Sequence, residues 1–598
     1  METGSPDCVP RVRFDDLKGD RGSFVLTGFA EALVAYHVDE VARVVERAER
    51  AARAGLWAAG FVAYEAAPAF DDALVVAGPD PDLPLAWFGL FAGRAKVDAV
   101  SAPAERPLPT WRLGWPPDRY ADEVARIREF LGAGETYQVN LTVRARGHIE
   151  DPVGVYGSMA RVQSGAYNAF IDTGTHVVLC ASPELFFLRD GDALLTRPMK
   201  GTTRRGRSSI EDAARAEALT QSTKDQAEHV MIVDLLRNDL GRIAEPGSVV
   251  VRSLCDLERY PTVWQLTSTI AAQVPEPTGL IDVFRALFPC GSVTGAPKRR
   301  TMQIIAAIEE EPRGVYCGAV GYVEPGGRRS QFAVAIRTAS VEKSTGRAVY
   351  GAGGGITWGS RPASEWREVA AKCSIVDSRV SAPDLLETLR FDPHDGPVNL
   401  ARHLQRLSRS ADYFDIPFDA SVAEAQLRSA CDGVDVERRV RIVLENGGGL
   451  TVSLSDLPET ASAPVRLGLA TERVDSRDVS LFHKSADRSR FDALRSAHPD
   501  VDDVVMTNER GEVTEATIAN LAVRLDGRWW TPPVECGLLP GVERQRLIDD
   551  GVLAERMIPV ALLAAAECVA VVNSLRGWRP AVMESACPTG GAGPWRCG

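Results

Sequence analysis

Thr196-Arg197-Pro198-Met199-Lys200-Gly201-Thr202-Thr203-Arg204-Arg205 reads as a strand end that turns sharply, at Lys200-Gly201, into a site. Lys200 is one of only eight lysines among 68 Lys plus Arg, the others being Lys18, Lys96, Lys224, Lys298, Lys343, Lys372 and Lys484. A chain that writes nearly every cation as arginine keeps lysine where a primary amine is needed. An amine can lose its proton and become a nucleophile, whereas a guanidinium stays charged. An ordinary loop lysine is the competing reading at this point.

Outward from that stretch the pattern mixes α and β. Alternation and short apolar runs predict strands at 137–143, 176–181, 184–189, 314–323, 331–339 and 347–350. Helical periodicity predicts helices at 38–54, 210–240, 278–287, 298–309 and 363–373. Glycine-rich punctuation gives way to Ser381-Ala382-Pro383 and a new pattern from Leu385, which places a domain boundary near residue 380. The Gly- and Pro-rich tail 586–598 reads as disordered.

With 598 residues, 45% hydrophobic and 25% charged, the composition is globular with room for more than one core. A net charge of -13 without long basic runs argues against nucleic acid or an anionic membrane as a partner. Residues 1–16 lack a basic segment followed by an apolar one, and no run approaches the roughly 18 apolar residues of a spanning helix. A cytoplasmic location is expected. Eleven cysteines without a Cys-x-x-Cys pair indicate neither a zinc site nor a disulfide framework.

Asp225 and Glu228 lie three residues apart in a helical pattern, so both project from one face; Glu365 and Glu368 repeat the spacing on a second predicted helix. Two such pairs could converge on Mg2+, which takes a few carboxylates plus water and a substrate oxygen. Two solvated helix faces are the alternative. The second pair follows Gly351-Ala352-Gly353-Gly354-Gly355, whose glycines let backbone N–H groups approach an anion. Gly291-Ser292-Val293-Thr294-Gly295-Ala296-Pro297-Lys298 lacks the Gly-Lys-Ser/Thr ending of a P-loop, and the triple glycine does not open a helix. A small anionic substrate fits better than a nucleotide.

Together with Glu135-Thr136-Tyr137-Gln138-Val139-Asn140-Leu141, Ser182-Pro183-Glu184, Lys224 to Arg242 and Ala335-Ile336-Arg337-Thr338, these motifs resemble the chorismate-utilising enzymes over residues 1–380, most closely the aminodeoxychorismate synthase type. The resemblance implies an α/β (α+β) fold of anthranilate-synthase type, with large antiparallel sheets around a buried site. It implies that Glu228 and Glu368 bind magnesium directly and that Asp225 and Glu365 support it through water. Gly201, Thr202, Tyr316, Arg337 and the amides of Gly353, Gly354 and Gly355 would hold the carboxylates of chorismate, with Gln138, Thr294 and Gly295 also at the substrate. Relatives that add water to chorismate resemble one another in carrying lysine where this chain has Gln138, whose amide cannot act as the general base. Anthranilate-forming relatives typically have alanine at the position of Lys200. The resemblance therefore implies that Lys200 attacks ring C2 and expels the C4 hydroxyl, after which ammonia adds at C4. Gln265 and Cys290 depart from the family pattern, in which histidine and glycine are common.

From residue 384 onward Lys484 is the only lysine, so a domain using pyridoxal 5'-phosphate would have no other anchor. Residues 384–585 resemble the class IV aminotransferases, which include aminodeoxychorismate lyase and branched-chain aminotransferases, beginning at Leu386-Glu387-Thr388-Leu389-Arg390. That resemblance implies a fold-type IV domain in which Arg406, from His403-Leu404-Gln405-Arg406-Leu407, grips the cofactor phosphate. Glu515, in Thr514-Glu515-Ala516-Thr517-Ile518-Ala519-Asn520, would pair with the pyridine nitrogen, with Asn520 beside it. The turn Leu538-Leu539-Pro540-Gly541-Val542-Glu543-Arg544 would cap the phosphate, although Glu543 stands where a small hydroxyl residue is common.

The expected chemistry is bifunctional: magnesium-dependent amination of chorismate to 4-amino-4-deoxychorismate, then loss of pyruvate to leave 4-aminobenzoate, with Lys484 moving the C4 proton. No cysteine lies in a Gly-x-Cys-x-Gly setting, so a separate glutamine amidotransferase subunit is expected to supply ammonia. A homodimer through the C-terminal domain is compatible with this reading. An anthranilate-type synthase with an unrelated transaminase, and a non-catalytic C-terminal docking domain, stay open as alternatives.

Overall fold

The computed structural model describes residues 9–19, 21–101, 110–373, 382–458 and 463–584. The boundary expected near 380 and the tail 586–598 lie outside them. The chain groups into two units, Met1–Arg205 with Arg215–Ser381, and Gly206–Ala214 with Ala382–Gly598.

In the first unit the described strands join into an 18-stranded, antiparallel sheet system, as the fold expectation required. The strand Gln138–His148 is buried along its first eight residues rather than alternately, because it has neighbours on both edges and cover on both faces. One neighbour is Arg347–Ile356, in register from Arg347↔His148 to Ile356↔Val139; the other is the short strand Gly295–Ala296. Helix Pro362–Cys373 packs on Arg347–Ile356, and helix Thr223–Gly241 packs on Met199–Arg204. These two packings carry the acidic pairs toward the strands of Gln138 and Lys200.

Several elements differ from the sequence pattern, each for a local reason. The predicted helix 210–240 is two helices, Ser209–Gln221 and Thr223–Gly241. Ser222 leaves helical geometry and accepts the Asp225 N–H at 3.2 Å as an N-cap. The predicted strand 314–323 shortens to Ala319–Val323, and 331–339 divides into Arg329–Val334 and Thr338–Glu342. Cys317 (φ 66) and Arg337 (φ 51) adopt left-handed backbone, which a pleated strand cannot accommodate. Glu309, at the end of helix Lys298–Glu309, pairs with Arg144 at 2.9 Å and Arg313 at 2.6 Å, all three buried, and so locks that helix to the strand Gln138–His148.

The second unit has a four-stranded antiparallel sheet, Leu385–Asp392, Gly396–Pro397, Arg438–Leu444 and Leu450–Asp456, with helices Leu400–Tyr413 and Ala420–Cys431 packed on it. Helix Leu400–Tyr413 buries His403, Leu404, Leu407, Ser410 and Ala411, a helical stripe. An eight-stranded sheet follows, mixed in direction: Val465–Val474 runs parallel to both Asp503–Asn508 and Gly577–Met583. The Leu386 N–H donates to the Lys484 carbonyl at 2.8 Å, and the Ala486 N–H to the Asp384 carbonyl at 2.7 Å, tying the Lys484 segment to the first strand of the smaller sheet. No helix among the described residues is long and apolar enough to cross a membrane.

Candidate functional site

Lys200 lies on the strand Met199–Arg204, next to Gly201, whose φ of 81 makes the turn that the sequence suggested. Its amine and the Gln138 amide both sit against Gly355: a Cβ built there would collide with Lys200 Nζ and with the Gln138 amide. The missing side chain is therefore what admits the lysine. Desolvation pulls the Lys200 amine below the ordinary lysine value, while the charges of Glu228, Glu368 and Glu184 pull the other way. Gln138 is fully buried, and neither its amide nitrogen nor its amide oxygen has a partner among the described residues. A buried polar group left unpaired costs about 1–3 kcal/mol, which a polar substrate atom would recover.

Two residues that the sequence reading did not assign complete this centre. Glu184 is 3% exposed, accepts the Ser292 hydroxyl at 2.6 Å, and is pushed up to about 7 by burial. A carboxyl in that state can donate a proton near neutral pH. The Ser182-Pro183-Glu184 motif flagged the position but not the role, because burial is not visible in a tripeptide. His229, on helix Thr223–Gly241, places Nδ1 3.1 Å from the Lys200 carbonyl and Nε2 2.6 Å from Ser268 Oγ, fixing the backbone that carries the amine.

The other predicted residues fall into two groups. Arg337, in its left-handed conformation, has a buried Nη1 without a partner among the described residues, and the buried Tyr316 ring lies directly over Gly351. Gly353, Gly354 and Gly355 pair with Thr142, Leu141 and Asn140 within the sheet. The hydroxyls of Thr202 and Thr294, by contrast, already have internal acceptors. Thr202 donates to Gln265 Oε1 at 2.8 Å, and Thr294 to the Cys290 carbonyl at 3.2 Å. Gly295 sits in register with Val139 and is pressed against the Gln138 carbonyl.

The acidic set consists of oxygen donors alone. Glu365 and Glu368 both approach Gly354, and Glu365 is pushed up by burial and then by the charge of Glu368. Glu368 also accepts Lys372 Nζ at 2.6 Å, Glu228 accepts the Thr357 hydroxyl at 3.2 Å, and Asp225 is bonded to Ser222. Among the described residues no group of three or more His, Cys, Asp or Glu is gathered tightly enough to hold a metal by itself. Magnesium does not require one: it is commonly held by one or two carboxylates, with water and substrate oxygens completing the shell. Glu228 and Glu368, whose charges both act on the Lys200 amine, fit that role, with Glu365 beside Glu368.

In the second unit Lys484 is pushed down to about 8, by desolvation first and then by Arg406. Glu515 is pushed up to about 8 by burial; it accepts the Leu539 N–H and the Asn520 amide, each at 3.0 Å. The same Asn520 amide reaches the Leu539 carbonyl at 3.0 Å. Arg406 donates to Glu387 and, at 3.2 Å, to the Pro540 carbonyl. Val542 opens helix Val542–Asp549, and Glu543 is engaged with Arg546 at 2.8 Å and Asn399 at 3.3 Å. A desolvated amine, a buried carboxylate short of a cation and a fixed guanidinium fit pyridoxal phosphate, which carries an aldehyde, a basic ring nitrogen and a phosphate.

The family described as chorismate binding enzyme matches residues 13–377, and that described as amino-transferase class IV matches residues 384–582. An aminodeoxychorismate synthase from Streptomyces griseus is 42% identical over 48% of this chain and 41% of its own length. An aminodeoxychorismate synthase component 1 from Klebsiella aerogenes is 39% identical over 49% of this chain and 63% of its own length. An anthranilate synthase component 1 from Streptomyces coelicolor is 34% identical over 52% of this chain and 70% of its own length. The chain thus spans less than two thirds of the first two of these relatives.

Proposed function

Since the chain belongs to the chorismate binding enzyme family and carries an amino-transferase class IV region after it, we propose that its first unit converts chorismate and ammonia to 4-amino-4-deoxychorismate and that its second unit eliminates pyruvate to leave 4-aminobenzoate. The observation that carries this reading is the desolvated Lys200 amine packed against Gly355, with the raised Glu184 carboxyl close enough to act on it electrostatically.

The neutral Lys200 amine attacks ring C2, the ring double bonds shift, and the C4–O bond breaks. Glu184 donates its proton to the departing hydroxyl. Ammonia then adds at C4 and expels the lysine from C2, so Lys200 is regenerated. Gln138 offers an amide at this spot; it can orient the ring substituents but cannot deprotonate water, which disfavours hydroxylation. Arg337 and the Gly353–Gly355 strand hold the carboxylates. Magnesium, held by Glu228 and Glu368 with Asp225 and Glu365 behind them, would neutralise the ring carboxylate. A separate glutaminase subunit supplies the ammonia, in keeping with a relative named as component 1.

In the second unit Lys484, Arg406, Glu515 and the Leu538-Leu539-Pro540-Gly541 turn would hold pyridoxal phosphate, which supplies an electron sink when bound. Lys484, whose lowered basicity leaves it partly neutral near pH 8, takes the proton from C4. It returns that proton to the methylene carbon of the departing enolpyruvate.

The test is a product assay of the full chain with chorismate, ammonium, Mg2+ and pyridoxal phosphate. Wild type is expected to form 4-aminobenzoate, and Lys484→Ala to accumulate 4-amino-4-deoxychorismate. Anthranilate as the main wild-type product would contradict the reading and favour the anthranilate synthase likeness.

A further inference from the structure

Glu387 stands on the strand Leu385–Asp392, one residue beyond the Leu386 N–H that binds the Lys484 carbonyl. It is 1% exposed. Arg406 donates to it twice, Nε to Oε1 at 2.8 Å and Nη2 to Oε2 at 2.7 Å. His403 places Nδ1 2.7 Å from Oε2. Burial opposes the charge, but Arg406 and His403 outweigh it and hold the carboxyl well below the usual range. Burial lowers the His403 pKa, and because the Glu387 carboxylate can only accept, Nδ1 is the donor in this pair.

A guanidinium carries five N–H groups. Glu387 takes two and the Pro540 carbonyl takes a third, leaving one on each terminal nitrogen. The arginine is thus held from the strand on one side and from the 538–541 turn on the other. Left alone, a long arginine side chain samples many rotamers, and fixing one costs entropy on every binding event.

We propose that Glu387, steadied by His403, is a positioning residue that pre-orients Arg406 so that its two remaining N–H groups meet a phosphate monoester. This rests on the reading of Arg406 as the phosphate-binding arginine. Two physical effects of Glu387 oppose each other. As a negative charge beside Arg406 it weakens attraction for an anion; as an orienting partner it strengthens binding. The proposal is that orientation wins.

The experiment measures binding of pyridoxal phosphate and of pyridoxal, which lacks the phosphate, to the cofactor-free full chain by quenching of protein fluorescence. Arg406→Gln is expected to weaken pyridoxal phosphate about tenfold or more and to leave pyridoxal unchanged. If it leaves the ratio of the two affinities unchanged, the underlying reading of Arg406 fails. Given that loss, Glu387→Gln should weaken pyridoxal phosphate about tenfold, again sparing pyridoxal. Unchanged or tighter phosphate binding in Glu387→Gln overturns the positioning role while leaving Arg406 in place. Should Glu387→Gln fold poorly, His403→Leu tests the same geometry with the carboxylate kept. It should lose phosphate discrimination in part, and His403→Asn, which restores a donor at the Nδ1 position, should recover it. Equal loss of both ligands in His403→Leu, or no recovery in His403→Asn, overturns the proposal.

Discussion

Glu184 decides how the first step should depend on pH. Its carboxyl is pushed up to about 7, so it can donate a proton below that pH and not far above it. Amination should therefore fall as pH rises past about 7. Glu184→Gln should lower kcat by roughly a hundredfold or more and abolish that alkaline fall, because the amide has no proton to give. An unchanged alkaline limb in the variant would assign it to another group. Glu515 makes a separate prediction about stability. Folded, it keeps its proton up to about pH 8; unfolded, it would release it near the ordinary carboxylate value of 4.5. Stability is therefore lost as pH rises between those two values. In urea unfolding of the cofactor-free protein, Glu515→Gln should be more stable than wild type by a few kcal/mol near pH 8 and nearly equal to it near pH 5. Lys200 and Lys484 stood out in the sequence as rare amines, and Gln138 through the resemblance to relatives that carry lysine at its position. Glu184 did not, since its character comes from burial and from Ser292, 108 residues away.

At the scale of elements, periodicity located helix Lys298–Glu309 to the residue, and helix Pro362–Cys373 to within one. It failed where a single residue leaves regular geometry. Ser222 divides one apolar pattern into two helices, and Arg337 breaks a strand, because hydrophobic spacing does not register a change of φ. Ser222→Ala should cost about 1 kcal/mol in denaturant unfolding, the worth of a lost N-cap. The glycine strand makes a sharper test. At Gly355 a Cβ would meet both the Lys200 amine and the Gln138 amide. Gly355→Ala should cut amination at least about tenfold with little change in Tm, because the collision involves flexible side-chain ends rather than backbone. A matched loss of Tm would show that Gly355 serves packing instead.

Over the whole molecule, the sequence reading of two parts rests on punctuation and motif order, which change near residue 380. That Gly206–Ala214 groups with the second unit was not legible, since grouping follows tertiary contacts and nothing in that stretch announces them. Nor could the sequence show Glu309 buried between Arg144 and Arg313, for a charged residue at a helix end reads as solvated until its partners are known. The two chemistries are assigned to separate lysines. Lys200→Ala should therefore abolish amination at C4, while pyridoxal phosphate still colours the protein yellow.

The central claim is that Lys200 bonds covalently to the substrate ring. Its most direct test is to incubate the full chain with chorismate and Mg2+ while withholding ammonia, and then to map the protein by peptide mass. The account predicts a chorismate-minus-water adduct on the peptide containing Lys200, lost in Lys200→Ala and discharged by added ammonium. No adduct at Lys200, with C4 amination surviving in Lys200→Ala, would contradict it.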